Sequence, residues 1–172
     1  SPRRFTLGGG VSVVGEVGSL PKPSYAGTGR VRVAHNDWAV SAGYSLSRAQ
    51  NTRVTTLGVG AHFALEYFFV EPCLATLVVG YRTEFCANFE WGKMEGTGIG
   101  LKQAYSGATD WLALGGASGV FFKVIEPLFI VPRFGLTFPL YRPAFEIDGL
   151  TQPVHRPGWA SGRAELLFLA AF

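Results

Sequence analysis

GRAELLFLAAF, residues 162–172, is the stretch whose reading decides the fold. Counted back from Phe172 in steps of two, the residues are Ala170, Phe168, Leu166 and Ala164, an unbroken apolar row. The alternate row, Ala171, Leu169, Leu167, Glu165 and Arg163, turns charged as it runs in. A side-chain period of two with one wholly apolar face describes a β-strand against an oily surface. An ordinary edge strand that finishes on an aromatic would read the same way in isolation, so the rest of the chain has to decide.

Composition narrows the choice. The 172 residues fit one domain, 1–172, with enough chain for a sizeable core. Charged residues make up only 16%, against about 25% in soluble domains. Mean hydropathy is positive, at +0.22. Yet the longest uncharged runs, such as Trp111 to Phe122, reach only about a dozen residues, whereas a spanning helix needs roughly 18 to 20. Hydrophobic overall without a spanning helix is the signature of a membrane barrel. The net charge of +3 is small and its basic residues are scattered, which argues against a nucleic-acid partner. The chain opens SPRR with no signal peptide visible and reads as a mature or trimmed start.

The same parity recurs along the chain. Phe5, Leu7, Gly9, Val11 and Val13 alternate with Arg4, Thr6, Gly8, Gly10 and Ser12 until GSLPKP breaks the ladder. Tyr25, Val31 and Val33 oppose Arg30 and Arg32; Trp38, Val40, Tyr44 and Leu46 oppose Ser41, Gly43 and Ser45. Leu57, Val59, Phe63 and Leu65 oppose Gly58, Gly60 and His62; Phe85, Phe89 and Trp91 oppose Glu84, Cys86 and Glu90. Leu112, Leu114 and Phe122 oppose Trp111, Gly115 and Lys123, and Leu128, Phe134 and Phe138 oppose Val131, Arg133 and Thr137. The terminal strand makes eight. Pro132 and Pro139 each remove a ladder donor from the seventh, where a bulge is expected.

Periodicity alone does not say which row faces out, since a lipocalin-like barrel shares it with its apolar row inside. Side-chain volume does. One row is large and aromatic and would overfill an eight-stranded interior, while the other is mostly Gly, Ala, Ser and Thr with a few opposite charges. The expectation is therefore an all-β, eight-stranded antiparallel up-and-down transmembrane barrel. Its lipid-facing aromatics are Trp38, Tyr44, Phe63, Phe85, Phe89, Trp91, Phe134, Phe138, Phe168 and Phe172. Its lumen charges are Arg30, Arg32, Glu84, Glu90, Lys123, Arg133, Arg163 and Glu165, which must be paired or solvated in a narrow interior.

Cys73 and Cys86 match no zinc or redox spacing and fit an oxidising compartment, either as a disulfide or as two buried thiols. The apolar stretch Glu66 to Thr83 is long for a turn and suggests a tall hairpin around Glu71-Pro72. A fully extended strand would hold the two cysteines about 40 Å apart at roughly 3.3 Å per residue, whereas a disulfide needs Cα atoms within about 7 Å. The expectation is that the stretch folds back; otherwise there is no bond.

These motifs carry a resemblance. An aromatic terminus after such a strand resembles the last strand of bacterial outer-membrane β-barrels, whose assembly machinery reads that end. GSLPKPSYAGTGRV, FCANFEWGKMEG and PLYRPAFEIDG with VHRPGWASGRAELLF look like the predicted small outer-membrane barrels of myxobacteria. That resemblance implies the eight-stranded fold, a paired-cysteine habit and outer-membrane location, and it implies no known activity. It also implies outer-membrane lipids around the barrel and the assembly machinery as a partner through Phe172. With both termini periplasmic, loops fall at 17–23, 48–52, 96–109 and 142–160 and turns at 35–37, 66–83 and 125–127, of which only the first and last are short.

Function is less legible. A non-enzymatic structural or surface-interaction protein with a salt-bridged, largely plugged lumen, presenting loops 96–109 and 142–160 to an unidentified partner, is the expected reading. The alternatives are a narrow pore for water or small ions and a surface hydrolase or lipid-modifying enzyme, for which Asp148, His155 and Ser161 are the imaginable constellation. No catalytic residue, cofactor or metal site is expected. His62 reads as a hydrogen-bonded lumen residue, and GTGIGLK at Gly96 to Lys102 as a glycine-rich loop, neither a Walker loop nor a dinucleotide fingerprint. On the inside–outside assignment, Phe89→Arg at mid-strand should lower folding stability in lipid by roughly 2 to 4 kcal/mol, read from unfolding in lipid vesicles. Parent-like folding of that variant would reverse the two faces.

Overall fold

A strand whose outer face lies in hydrocarbon must give every backbone N–H and C=O a partner within the protein, so a sheet can cross a membrane only as a closed ring. The computed structural model, which describes residues 5–54, 59–99, 106–142 and 155–172, is such a ring. It is built from β1 (Phe5–Val17), β2 (Ser24–His35), β3 (Trp38–Ser47), β4 (Gln50–Val54), β5 (Val59–Val78), β6 (Tyr81–Ile99), β7 (Ser106–Val120), β8 (Phe122–Ile125), β9 (Leu128–Pro139) and β10 (Ser161–Ala171). β4 resumes the line of β3 along β5, and β8 that of β7 along β9, so ten segments form eight staves. Each stave runs antiparallel to its neighbours, and β10 pairs with β1 to close the ring. The expected eight-stranded up-and-down barrel is the fold observed.

The register fixes how far the staves tilt. From Thr6 the paired residues run through Ala34, Ala39, Cys73, Cys86, Ala117, Gly135 and Arg163, and return to β1 at Glu16, ten residues further on. With strands about 4.8 Å apart and about 3.3 Å per residue, a stagger of ten over eight staves means a tilt of roughly 40°. Such a barrel is just wide enough for side chains to fill.

The stretch between Glu66 and Thr83 is wall, not turn. β5 and β6 are 20 and 19 residues long and reverse at Val79-Gly80, both with positive φ (49° and 81°), as a two-residue hairpin turn requires. Cys73 and Cys86 are equidistant from that turn, hence cross-strand partners, with Cα atoms 4.0 Å apart and the sulfurs bonded. The chain does fold back, but not at Glu71-Pro72, because Glu71 points into the lumen and is 5% exposed. Pro72 leaves its mark as a gap in the β5–β6 ladder between Val70↔Phe89 and Cys73↔Cys86.

Other boundaries shift too. The β6–β7 ladder continues to Thr97↔Ser106, so most of 96–109 is strand, and β4 occupies most of 48–52. Opposite Pro132 the β7–β9 ladder ends at Gly119↔Arg133 and β8–β9 resumes in the same register at Phe122↔Ile130. The irregularity lies between Lys123 and Ile125 instead of at Pro132, and Pro139 simply ends β9.

The inside–outside assignment of one strand is reversed, Phe63 and Leu65 turning in and His62 out. β5 is unbroken, so Phe63 shares the inward row of Glu71 and Cys73 and is fully buried, while His62 is exposed on the outer face with Nδ1 2.6 Å from Asn51 Oδ1. Phe63, Leu65, Tyr67 and Phe69 therefore stand inside, and glycines on neighbouring staves make the room. A Cβ on Gly43 would lie 2.5 Å from Phe69 Cζ, and one on Gly92 would lie 2.0 Å from the Glu66 carbonyl oxygen and 2.5 Å from Tyr67 Cα. Gly92→Ala is expected to destabilise the barrel by about 1–3 kcal/mol as an overpacked site. Gly27→Ala, with nothing within 4 Å, should leave the urea midpoint in micelles unchanged.

Candidate functional site: the charged lumen

Burying an ion without a counter-ion costs several kcal/mol, so charges aimed into a filled barrel must find one another. Glu165 and Arg133 are direct cross-strand partners on β10 and β9. Arg133 and Glu84 flank Gly119, where a Cβ would lie 2.7 Å from Arg133 Cγ; the missing side chain lets the arginine stem cross the stave. Arg30 likewise reaches across Gly43, with its guanidinium 5.0 Å from the centre of the Phe69 ring.

The result is a continuous network. Glu71 Oε2 accepts from Arg30 Nη1 and Arg133 Nη2, each at 2.9 Å. Glu165 accepts from Arg133 Nη1 at 2.8 Å and also from Arg30 Nη2. Glu84 lies 2.7 Å from Arg32 Nη1 and 3.7 Å from Arg133 Nε. Three guanidinium groups thus meet three carboxylates, none of the six side chains more than 11% exposed.

A second cluster centres on Arg163. It bonds Glu90 with both terminal nitrogens and places Nε 3.1 Å from Glu16 Oε2. Glu90 also accepts from Trp111 Nε1 at 3.0 Å and Asn88 Nδ2 at 2.7 Å, so four donor groups on three side chains hold it. Arg163 stacks over Tyr67 at 5.0 Å. A cavity of about 40 Å³ between the clusters is lined by Arg30, Glu71, Asn88, Arg133, Arg163 and Glu165, among others. That is room for about three waters, given roughly 10–15 Å³ needed for each.

Apolar clusters lie on either side of the ionic ones. Towards the loops, Leu20, Phe63, Leu65, Met94 and Trp111 pack together. Towards the termini, Val131, Leu167 and Leu169 pack with Phe121 and Phe129, beside the disulfide and Ala39. Arg133 Nη2 lies 3.5 Å from Cys86 Sγ, which ties the staple to the network. Glu71 also approaches the two sulfurs, but these are bonded to each other and offer no thiolate to a metal.

The structure brings together Arg30, Arg32, Glu84, Glu90, Arg133, Arg163 and Glu165, and leaves out Lys123. That residue lies on β8, exposed along its whole length at the rim, and its ammonium meets solvent and Glu126. The salt bridge with Lys123 holds the Glu126 carboxyl below its usual pKa. Two members escape the sequence reading. Glu16 follows if the parity of β1 is carried past Val13, and Glu71 if the row of Cys73 is carried back. On the outer face, Trp38, Tyr44, Phe85, Phe89, Trp91, Phe134, Phe138, Phe168 and Phe172 are turned away from the lumen, Phe172 being 78% exposed.

His155 and Ser161 are each engaged by a backbone carbonyl. His155 donates Nε2–H to the Ser19 carbonyl at 2.9 Å and packs edge-on to Phe63, and burial pushes its pKa below the usual histidine value. Ser161 is fully buried and gives its hydroxyl to the Thr137 carbonyl at 3.5 Å. Asp148 lies outside the described residues, as do Gly100 to Lys102 of the glycine-rich stretch.

No protein-family model matches the chain, and no curated protein matches it in sequence. Solved structures do match its fold. A major outer membrane protein from Thermus thermophilus superposes with a TM-score of 0.72 at 10% identity, covering 98% of this chain and 99% of that one. Ail, the attachment invasion locus protein of Yersinia pestis, gives 0.58 at 13% identity over 98% and 97% of the two chains. Neisserial surface protein A gives 0.57 at 10% identity over the same shares. The chain therefore has the fold of small bacterial outer-membrane β-barrels.

The network makes a testable demand. Glu165→Gln leaves Arg30 and Arg133 one carboxylate short in a buried interior and is expected to cost about 3–5 kcal/mol, seen as a lower urea midpoint of the folded barrel.

Proposed function

We propose that this chain is an integral outer-membrane protein whose barrel is a closed anchor and whose loops do the work, without catalysis. The observation that carries this reading is the lumen: paired ions in the middle, with an apolar cluster on either side. Such an interior favours rigidity over transport. In this reading the termini are periplasmic, the loop rim faces the surroundings, and outer-membrane lipids cover the apolar face. The exposed Phe172, whose backbone exchanges hydrogen bonds with Leu7, is the end that the barrel-assembly machinery engages. Kinship with the myxobacterial barrels belongs to the same proposal and rests on the short motifs.

The loop rim supports an interaction role. Arg142 stacks 4.0 Å over the ring of Trp159, which is 79% exposed, and its Nε donates to the Pro157 carbonyl at 2.8 Å. A fixed guanidinium on an aromatic plate is a ready contact for an anionic or aromatic group. One structure of similar fold, Ail, holds the heparin analogue sucrose octasulfate. A polyanionic surface partner is the corresponding choice here.

The second reading, a narrow water or ion passage, draws on the small polar cavity at mid-lumen. Single-channel recording of the folded protein in a planar bilayer separates the two. Insertion without current steps, together with a compact gel band that shifts on boiling, is the expected result. Reproducible steps would make the lumen charges a conduction path and overturn the closed anchor.

A further inference from the structure

The outer face of the tall side changes character in a single step. Across β3, β5, β6 and β7 the register aligns Tyr44, Phe68, Trp91 and Leu112 in one row. Two residues nearer the loop rim, the next row on the same face reads Glu66, Lys93, Asp110. Tyr44 and Phe68 have ring centroids 4.7 Å apart, and Phe68 and Trp91 are stacked at 5.9 Å. The Tyr44 hydroxyl donates to Glu66 Oε2 at 2.6 Å, joining the rows. An open groove lies between them, lined on the outer face by Tyr44, Glu66, Phe68, Trp91, Lys93 and Asp110.

Two facts give this groove a chemistry. Charges on the outer wall are unfavourable in hydrocarbon and tolerated near its boundary, so the acidic–basic–acidic row marks where headgroups begin, with the aromatic row as the girdle below it. Lys93 and Asp110 are both exposed, and neither forms an ion pair with another described residue, although they are register partners. One cation and one anion thus stand uncommitted on adjacent strands about 4.8 Å apart, a spacing of the same order as phosphate to amine in phosphoethanolamine.

We infer that this groove binds a phospholipid with a phosphoethanolamine headgroup. Lys93 takes the phosphate, Asp110 accepts an N–H of the ammonium, and an acyl chain lies along Phe68, Trp91 and Leu112. Glu66, held by Tyr44, stands on the other side of Lys93, so a headgroup that carries only negative charge meets two carboxylates with no ammonium to offset them. A trimethylated headgroup fits the phosphate contact but has no N–H for Asp110.

The test uses the folded full chain in detergent, titrated by native mass spectrometry with phosphatidylethanolamine, phosphatidylcholine and phosphatidylglycerol of identical acyl chains, and separately with lipopolysaccharide. The expected result is one retained phosphatidylethanolamine, preferred over phosphatidylcholine by roughly tenfold, the worth of one charge-assisted hydrogen bond. Asp110→Asn should remove that preference and Lys93→Gln should weaken retention of all three phospholipids, each variant first shown to give the compact unheated gel band. Equal retention of the phospholipids by the parent protein overturns the site, as does a preference for phosphatidylglycerol or lipopolysaccharide. So does an unchanged preference in Asp110→Asn. The comparison in the parent protein needs no variant and stands if either fails to fold.

Discussion

The pairing of β1 with β10 is the contact on which everything else in this barrel rests. Unpaired N–H and C=O groups in hydrocarbon cost several kcal/mol each, and an eight-stave sheet without this seam would carry two such edges. Ten residue pairs, from Gly8↔Ala171 to Val17↔Gly162, join the edges, and Leu7 and Phe172 exchange two further bonds at 2.9 and 2.7 Å. Glycines inside the seam let it close: a Cβ on Gly10 would lie 2.6 Å from the Phe168 carbonyl oxygen and 2.9 Å from Leu167 Cδ1. Leu167 and Leu169 then fill the space those glycines leave and become part of the terminal-end layer.

Closure also dictates the interior. Once stave number and stagger are set, the lumen has a fixed bore, and long side chains have to cross it to reach partners on the far wall. Arginine suits that task, because its planar fork contacts two carboxylates at once, as Arg30 and Arg133 each do with Glu71 and Glu165. Gly119 and Gly43 mark the places where the wall is thinned for such a crossing. The ionic layer is thus inseparable from the glycine pattern around it, and apolar clusters flank it on both sides.

The barrel is taller on one side. β5 and β6 run past the ends of β3 and β7 before they reverse at Val79, which is 91% exposed, while at the loop rim β4 accompanies β5 to its first residue. Pro72 interrupts their ladder beside the Cys73–Cys86 bond, so a covalent cross-link stands next to the point where backbone pairing is missing. The same hairpin carries Glu71, Glu84 and Glu90 inward and Phe68, Phe85, Phe89 and Trp91 outward. It links the disulfide, the lumen network and the lipid face in one element.

By itself, the sequence determined the period, the number of staves, the aromatic outer face and seven of the lumen charges. Each of these depends only on neighbours two residues apart, which a strand places on one face whatever surrounds it. Strand ends were less legible, because a ladder continues wherever a partner strand offers hydrogen bonds: Gly96 to Ile99 and Gln50 to Val54 became strand for that reason. Phe63 was placed outward by its size, and only the unbroken run of β5 from the disulfide up to Gly60 turned it in, with Gly43 and Gly92 on other staves thinning the wall beside that inward row. Glu16 and Glu71 joined the network, and Lys123 left it, according to how far along the barrel axis each side chain sits. Depth in the barrel is set by the ten-residue stagger of the closed ring, a property of all eight staves together that no single stretch of sequence contains.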